Sequence, residues 1–223
     1  MGFQRCPYDT SLFFRCHGSE ILMLLVFVDD IILTGTSASS ITQFVSHLFT
    51  IFHMNNLGDL YYFLGVRVAR TSASLTLTQT KCLLSLLQRF GFEGVKAIST
   101  RCTTLRPTLY RQMVGTLQYL ALTRPDVAYA VSLVCQFIQT PRSPHLIAIK
   151  RIFRYFKGTL SLGLHFTQAP VSTLCSFCDV DWASSRDDKC STTGFTIFMG
   201  NKLLSWGAKK QVIVARSTVE VEY

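Results

Sequence analysis

The sequence predicts a mixed α/β fold of the α+β type, and three patterns support this prediction. A continuous apolar run over residues 21–28 is typical of a strand that is buried on both faces. Apolar residues recur every three or four positions through the middle of the chain, which indicates helices. After Gly163 the period changes to two, which indicates strands.

The first strands surround a pair of acidic residues. A short strand over residues 11–16 precedes the apolar run 21–28, and residues 31–33 resume the apolar pattern after Asp29 and Asp30. Because the two apolar runs are separated only by the two acidic residues, we expect a tight hairpin with both carboxylates at its tip.

The rest of the first 90 residues combines helices with a second hairpin. The spacing predicts a helix over residues 41–52, followed by a strand over residues 60–69 that Gly65 interrupts. Leu75 and Leu77 alternate with polar residues, so residues 75–77 are predicted to form the partner strand of this hairpin. A second helix is predicted over residues 79–90.

Helices dominate the middle of the chain and strands its last quarter. The pattern is lost near Pro107, so we place a domain boundary within residues 97–108. Three helices are predicted over residues 111–122, 125–140 and 143–157. Four strands are predicted over residues 173–180, 193–199, 202–206 and 211–216. Ser217 and Glu220 have the spacing of a capping box, which opens a last helix.

Composition excludes several classes of protein. With 48% hydrophobic and 16% charged residues among 223, the chain is not intrinsically disordered. Eight cysteines are too sparse for a small disulfide-stapled domain. No stretch reaches the ~20 apolar residues of a membrane span, and no cleavage pattern follows the early apolar run. We therefore expect an intracellular protein, cytoplasmic or nuclear, that does not act at a membrane.

The positive charge is concentrated in one part of the chain. The formal net charge is +9, and residues 101–170 alone carry nine Lys and Arg against one acidic residue. The segments before and after this block are nearly neutral, and their acidic residues occur in tight clusters. A basic block of this kind favours contact with a phosphate backbone, and acidic clusters beside it suggest bound cations.

Asp29 and Asp30 are the first candidate metal ligands. Two adjacent carboxylates at the tip of an apolar hairpin are costly unless they are paired or bound to metal. Neighbouring strand residues point to opposite faces, so we expect Asp29 to bind the metal directly and Asp30 to face away or bind through water. An ordinary Asp-Asp turn is the alternative interpretation.

Asp179 and Glu222 are the second candidate pair. Asp179 lies on a predicted strand, with Asp181 two residues further along the same face. Glu220 belongs to the capping box, whereas Glu222 is available to face the strand. An Asp from a first strand with a Glu from a first helix corresponds to the start of an RNase H metal site, and solvent-facing acidic residues are the alternative.

A basic face on the predicted third helix is the candidate nucleic-acid surface. Its members are Lys150, Arg151, Arg154 and Lys157. The packing side is expected to consist of Ile147, Ile149, Ile152, Phe153 and Phe156. A charged helix face is usually no more than solvated, but the surrounding basic block favours contact with nucleic acid.

Many short stretches occur in a fixed order along the chain. They are residues 9–13 (DTSLF), 25–35 (LVFVDDIILTG), 54–58 (MNNLG), 62–65 (YFLG), 110–120 (YRQMVGTLQYL), 123–126 (TRPD), 155–159 (YFKGT), 179–182 (DVDW), 191–194 (STTG), 209–211 (KKQ) and 215–218 (ARST). Together they resemble the reverse transcriptase–RNase H region of copia-type LTR retrotransposon Pol polyproteins, almost from end to end.

This resemblance implies three domains. Residues 1–97 correspond to the C-terminal part of the reverse transcriptase palm, in which residues 27–30 match the family's Tyr-x-Asp-Asp hairpin and residues 62–65 its primer-grip hairpin. Residues 98–168 correspond to the helical thumb and connection, and residues 169–223 to the N-terminal half of an RNase H-like domain.

The resemblance also implies a chemistry. Asp29 and Asp30 would be catalytic metal ligands of the polymerase site, and Asp179 and Glu222 of the RNase H site. Each site would use two Mg²⁺ ions for phosphoryl transfer on an RNA/DNA template-primer or hybrid. The resemblance gives no oligomeric state.

Departures from the family pattern lead us to expect an inactive chain. Position 27 is Phe where Tyr is usual, and the third polymerase carboxylate and the fingers would lie upstream of Met1. Two RNase H carboxylates would lie beyond Tyr223. We therefore expect a pseudogene fragment of a transposable element that binds Mg²⁺ weakly or not at all. The alternatives are a catalytically inert nucleic-acid-binding remnant and an unfolded or membrane-adherent product without function.

Overall fold

The computed structural model describes residues 2–92, 106–168, 173–185 and 187–222, with side chains described up to Glu220. These residues form two compact units, Met1–Leu60 and Tyr61–Tyr223. The predicted domain boundary within residues 97–108 lies mostly outside the described residues. The predicted boundary after residue 168 adjoins residues 169–172, which also lie outside them.

The first unit is an antiparallel sheet with one helix. Its strands, in spatial order, are β1 (Gln4–Arg5), β2 (Leu12–His17), β3 (Glu20–Phe27) and β4 (Asp30–Gly35). Helix α1 (Ala38–Ile51) packs against β4. Its N-terminus is capped by Ser37, whose hydroxyl accepts a hydrogen bond from the Ser40 backbone N–H.

The core of the first unit is small. Leu22 of β3 and Phe44 of α1 are buried, and the ring of Phe3 lies 5.0 Å from that of Phe44. The opposite face of β3 carries the half-exposed apolar residues Ile21 and Met23. The sheet is therefore covered by α1 on one face only, within this unit.

The second unit contains two sheets around a helical core. The first sheet consists of β5 (Tyr62–Phe63), β6 (Val66–Arg70), β7 (Ser74–Thr78) and β8 (Leu164–Thr167), in that order. The helices are α2 (Thr80–Arg89), α3 (Pro107–Leu120), α4 (Ala128–Cys135) and α5 (Ser143–Gly158), with a 3₁₀ turn at Pro125–Val127 before α4. The second sheet has the order β11 (Lys202–Lys210), β10 (Thr192–Met199), β9 (Leu174–Asp181), and is followed by α6 (Thr218–Glu222).

The core of the second unit lies among the four longer helices. Sixteen buried apolar residues from these helices and the 3₁₀ turn form one cluster. Phe153 of α5 is fully buried, and its ring centre lies 5.5 Å from that of Phe90 and 5.1 Å from that of Phe92. Tyr110 of α3 is also fully buried; its hydroxyl donates to the Val134 carbonyl oxygen at 2.7 Å, and burial raises its pKa to about 12.

The predicted mixed α/β (α+β) class is confirmed, with three corrections to its elements. Residues 211–216 are not a strand, because β11 continues to Lys210 and Val212 and Ile213 are then exposed. The helix predicted over 125–140 ends at Cys135. Strand β8 was not among the predicted strands, since it is formed by pairing with the distant β7. Across the described residues, no helix combines the length and apolar character of a membrane span.

Candidate functional site

Asp29 and Asp30 lie together at the tip of the β3–β4 hairpin. Phe27 pairs with Asp30 across the two strands, which leaves Val28 and Asp29 as a two-residue loop. Both carboxylates are exposed, and β4 is an edge strand of its sheet. The sequence therefore predicted the hairpin correctly; the separate roles assigned to Asp29 and Asp30 remain predictions.

The backbone at the tip of this hairpin is strained. Val28 has a φ of 50°, in the left-handed region that favours glycine, and its side chain is β-branched. Strain of this kind costs about 1–3 kcal/mol and persists only where the surrounding structure imposes it. Here the pairing of the strands on both sides fixes the loop, and with it the position of Asp29.

The chemistry of this tip suits a hard cation. Mg²⁺ prefers oxygen ligands and keeps several waters, and Asp29 and Asp30 offer two exposed carboxylates. Among the described residues, however, no three His, Cys, Asp or Glu side chains are grouped so that they could hold a metal ion. The tip can thus supply two of the ligands that Mg²⁺ requires.

Asp179 lies on β9 and Glu222 ends α6. Asp179 is opposite Gly194 of β10 and is exposed, and Asp181 follows on the same face of the strand. Helix α6 packs against β9, but the side chain of Glu222 is outside the described set. Ser217 caps α6 as predicted, because its hydroxyl accepts from the Glu220 backbone N–H at 3.2 Å.

The four predicted nucleic-acid-binding residues share the outer side of α5. Arg151 and Arg154 are exposed, and Lys150 and Lys157 are half-buried. The buried side of the helix consists of Leu146, Ile149, Ile152, Phe153 and Phe156. Ile147 was predicted to pack inward, but it is 53% exposed, because it lies seven residues before Arg154 on the same face.

Few acidic residues accompany these cations. Residues 61–168 carry fourteen Lys and Arg against two acidic residues, Glu93 and Asp126. Asp126 is already engaged, because its carboxylate accepts two hydrogen bonds from the Arg124 guanidinium. By formal count, positive charge in this segment therefore exceeds negative charge by 12, which favours an anionic partner.

Comparisons with known proteins identify the family. A model of the reverse transcriptase (RNA-dependent DNA polymerase) family matches residues 1–104. The uncharacterized mitochondrial protein AtMg00810 of Arabidopsis thaliana is 39% identical over 91% of the chain and 89% of its own length. The retrovirus-related Pol polyprotein from transposon RE1 of the same plant is 38% identical over the whole chain. The chain belongs to the reverse transcriptases of copia-type Pol polyproteins.

The chain corresponds to a small part of the full polyproteins. It covers 16% of the RE1 polyprotein and 18% of the polyprotein from transposon TNT 1-94 of Nicotiana tabacum, which is 33% identical to it. No solved structure matches the chain. The resemblance noted from the sequence motifs is thus confirmed at the level of the family.

The sequence motifs did not reveal a buried polar junction around Arg124. Arg124 is 3% exposed and donates to the carbonyl and hydroxyl oxygens of Thr159, at 3.0 and 2.8 Å, in addition to Asp126. Burial opposes ionisation of Asp126, but hydrogen bonds from Arg124 and Tyr155 outweigh it and lower the pKa of Asp126. The only indication of this junction in the sequence was the short spacing of Arg124 and Asp126 in the TRPD stretch.

Two exposed tyrosines at the start of the β5–β6 hairpin contact cations, which the sequence motifs did not predict. The Arg67 guanidinium lies 5.4 Å from the ring centre of Tyr61, and the Lys81 ammonium lies 5.6 Å from that of Tyr62. The absence of any acidic residue from positions 61–92 was the sequence signal for uncompensated cations here. Tyr62 begins the stretch that resembles the primer grip.

Proposed function

We propose that this chain is the part of a copia-type reverse transcriptase that contains the polymerase hairpin and the start of RNase H, and that it binds RNA–DNA hybrid through the outer side of α5. The division into palm (1–97), thumb and connection (98–168) and RNase H-like half (169–223) is part of this proposal. In the intact polyprotein, two-metal phosphoryl transfer would take place at Asp29 with Asp30, and at Asp179 with Glu222.

One observation carries the binding proposal: Arg151 and Arg154 lie together on the exposed side of α5, in a segment that carries few acidic residues. Arg151 and Arg154 reach solvent from one side of a helix whose opposite side is anchored in the core. The single acidic residue of the 101–170 block is engaged by Arg124. A phosphate backbone is the polyanion whose charge spacing such a row can follow, and binding would release its counterions.

Salt-dependent binding tests this proposal. The affinity of the chain for a labelled RNA–DNA hybrid is measured by fluorescence anisotropy at several salt concentrations. Changing Lys150, Arg151, Arg154 and Lys157 together to Ala is expected to weaken binding and to reduce the slope of log K against log salt by about one unit per lost phosphate contact.

A matched control separates position from total charge. The control variant replaces Arg5, Lys189, Lys209 and Arg216, four exposed cations outside α5, by Ala and loses the same net charge. Its slope is expected to stay close to that of the unchanged chain. Equal losses of slope in both variants would show that only the overall charge matters, and an unchanged slope in the α5 variant would show that its cations are merely solvated.

Catalysis by the isolated chain is proposed to be absent or very weak. Two-metal phosphoryl transfer needs enough carboxylates to hold both cations in line with the phosphate. Asp29 and Asp30 supply two, and Asp181 cannot readily reinforce Asp179, because two residues along a strand move a carboxylate ~6–7 Å. The remnant would then act on nucleic acid by binding alone.

Primer extension and hybrid cleavage test this second part. A labelled primer–template and a labelled hybrid are incubated with the chain in Mg²⁺ and then in Mn²⁺. We expect no extended primer and no RNA fragments. Product that forms with the unchanged chain and disappears in Asp29→Asn would overturn the proposed inactivity and identify a working polymerase site.

A further inference from the structure

The outer side of α5 carries exposed apolar side chains as well as cations. Ile147 is 53% exposed and Tyr155 is 45% exposed. They lie four residues before and four residues after Arg151, which places all three on one side of the helix. Arg154 lies three residues after Arg151, on the same side. This surface therefore combines cations with apolar groups instead of being purely charged.

The ring of Tyr155 is held in place from the protein side. The Arg124 guanidinium lies over this ring, 5.6 Å from its centre, and is itself bound to both carboxylate oxygens of Asp126. A hydrogen bond with Asp126 raises the pKa of the Tyr155 hydroxyl. Because these contacts restrict the side chain, a ligand that packs on its exposed part would order it at little further cost in entropy.

An exposed aromatic ring beside cations suits an unpaired nucleic-acid strand. Within a duplex the bases stack on one another, so a ring on a protein surface reaches only the backbone and the edges of the grooves. In an unpaired strand a base has a free face on which a tyrosine ring can stack, while nearby cations contact phosphate. The excess of positive charge in residues 61–168 supplies the attraction for such a strand.

We infer that Tyr155 is a stacking residue for an unpaired strand, and that the Tyr155 end of α5 binds a single-stranded segment that adjoins the RNA–DNA hybrid. The inference rests on the proposed function of α5 and specifies the form of nucleic acid that this end of the helix binds. Every base has a face that can stack on an aromatic ring, so we expect no strong sequence preference.

Hybrids that differ only in the bases of an overhang test this inference. The affinity of the full chain is measured by fluorescence anisotropy for a hybrid with a short unpaired DNA overhang, and for the same hybrid with an abasic overhang of equal length. The two ligands carry the same phosphates, so the ratio of their affinities reports contacts with the bases. We expect the overhang with bases to bind about fivefold more tightly, which corresponds to stacking of one base.

Two variants and a matched control assign this affinity ratio to the ring. Tyr155→Leu removes the ring and should lower the ratio to about one. Tyr155→Phe keeps the ring but loses the hydroxyl, and it should preserve the ratio. Tyr129 is 47% exposed on α4, so Tyr129→Leu removes a similarly exposed ring outside α5 and should leave the ratio unchanged. Circular dichroism establishes that each variant is folded.

The outcomes separate this inference from the proposal beneath it. Equal affinities of the unchanged chain for the two overhangs, or a ratio that Tyr155→Leu leaves intact, would overturn the role of Tyr155. A ratio lost in Tyr155→Phe as well would assign the effect to the hydroxyl and would overturn stacking. If Tyr155→Leu does not fold, Tyr155→Gln takes its place, since it keeps a hydrogen-bond donor without a ring. If the four-residue α5 variant leaves the salt slope for a blunt hybrid unchanged, the proposed function fails and the inference fails with it.

Discussion

The two compact units of the chain differ in charge and in core. By formal count, residues 1–60 carry two basic and five acidic residues, a net charge of −3, and residues 61–223 carry twenty and eight, a net charge of +12. Among the described residues, the first unit buries two hydrophobic side chains and the second a cluster of sixteen. The acidic hairpin thus belongs to a unit with a small core, and the basic helix to a unit with a large core.

This difference shows how the two candidate functions are supported. The candidate metal-binding tip at Asp29–Asp30 depends on short-range backbone geometry, which strand pairing provides. A surface that follows a polyanion needs a rigid row of charges, which the packed side of α5 provides. Substitutions should therefore act strongly and globally in the second unit, and weakly and locally in the first.

The largest effect is expected from Phe153→Ala. Phe153 is fully buried and contacts two other rings, so its removal leaves a cavity and should cost about 3–5 kcal/mol of unfolding free energy. Urea unfolding followed by circular dichroism measures this loss. Ile147→Ala, on the exposed side of the same helix, is the control and should change stability by less than about 0.5 kcal/mol. Similar losses for both variants would contradict the assigned core.

Asp126→Asn should have an intermediate effect in the same unit. It removes the charge of a carboxylate that accepts two hydrogen bonds from buried Arg124, at a cost of about 1–2 kcal/mol. The pKa of Asp126 is lowered in the folded state, so its contribution is complete above the unfolded pKa of about 3.8 and is lost as pH falls through the lower folded pKa.

The pH dependence of stability checks this assignment. Unfolding free energies are measured for both proteins from neutral pH to below pH 3. The difference between the unchanged chain and Asp126→Asn should narrow as the carboxylate becomes protonated. A difference that stays constant over this range would mean that ionisation of Asp126 does not contribute.

Val28→Gly should stabilise the first unit slightly. Glycine accepts the positive φ at the hairpin tip, and the relieved strain is partly offset by the greater freedom of glycine in the unfolded chain. We expect the local unfolding free energy to increase by about 0.5–1 kcal/mol. Slower hydrogen exchange of the β3–β4 amides would measure this increase. Leu64→Gly, at the corresponding positive φ in the second unit, is the matched comparison and should gain less, since leucine is not β-branched.

The smallest effect on stability is expected from protonation of His145 at the start of α5. Its Nδ1 accepts a hydrogen bond from the Arg142 backbone N–H at 3.0 Å, which requires that this nitrogen carry no proton. Burial and the charge of Arg142 lower the pKa of His145 in the folded state. The contribution is therefore complete above the unfolded pKa of about 6.5 and is lost as pH falls through the folded pKa.

Thermal unfolding at several pH values detects this effect. Replacing His145 by Gln removes the titrating group, so the decline in stability just below pH 6.5 should become shallower in the variant. Identical profiles for the two proteins would show that the His145 cap does not titrate in this range.

Local sequence patterns predicted those elements that neighbours in the chain determine. The apolar run before Asp29 and the helical spacing around Ile149 each report on contacts within a few residues. Strand β8 could not be found this way, because its partner β7 lies almost ninety residues earlier. The error at residues 211–216 has the opposite cause: Val212 and Ile213 have strand propensity but pair with no strand in the described part of the chain.

The same distinction between local and long-range contacts explains which parts of the candidate sites were predicted. The hairpin and the basic side of α5 were predicted, because spacing alone places their members together. Ile147 was assigned to the wrong side of α5, since its apolar nature was weighted above its position. The role of Arg124 at Thr159 could not be predicted, because a buried cation is recognisable only when its distant acceptors are known.

The polar junction at Thr159 also has a consequence for the order of folding. Its bonds join Thr80 to Leu160, which are 80 residues apart, and Arg124 to Thr159, which are 35 residues apart. Contacts of such long sequence separation form after the helices that supply them, so these bonds should be weak in the folding transition state. Their loss would then accelerate unfolding and leave the folding rate nearly unchanged, which makes the junction a determinant of how long the native state persists.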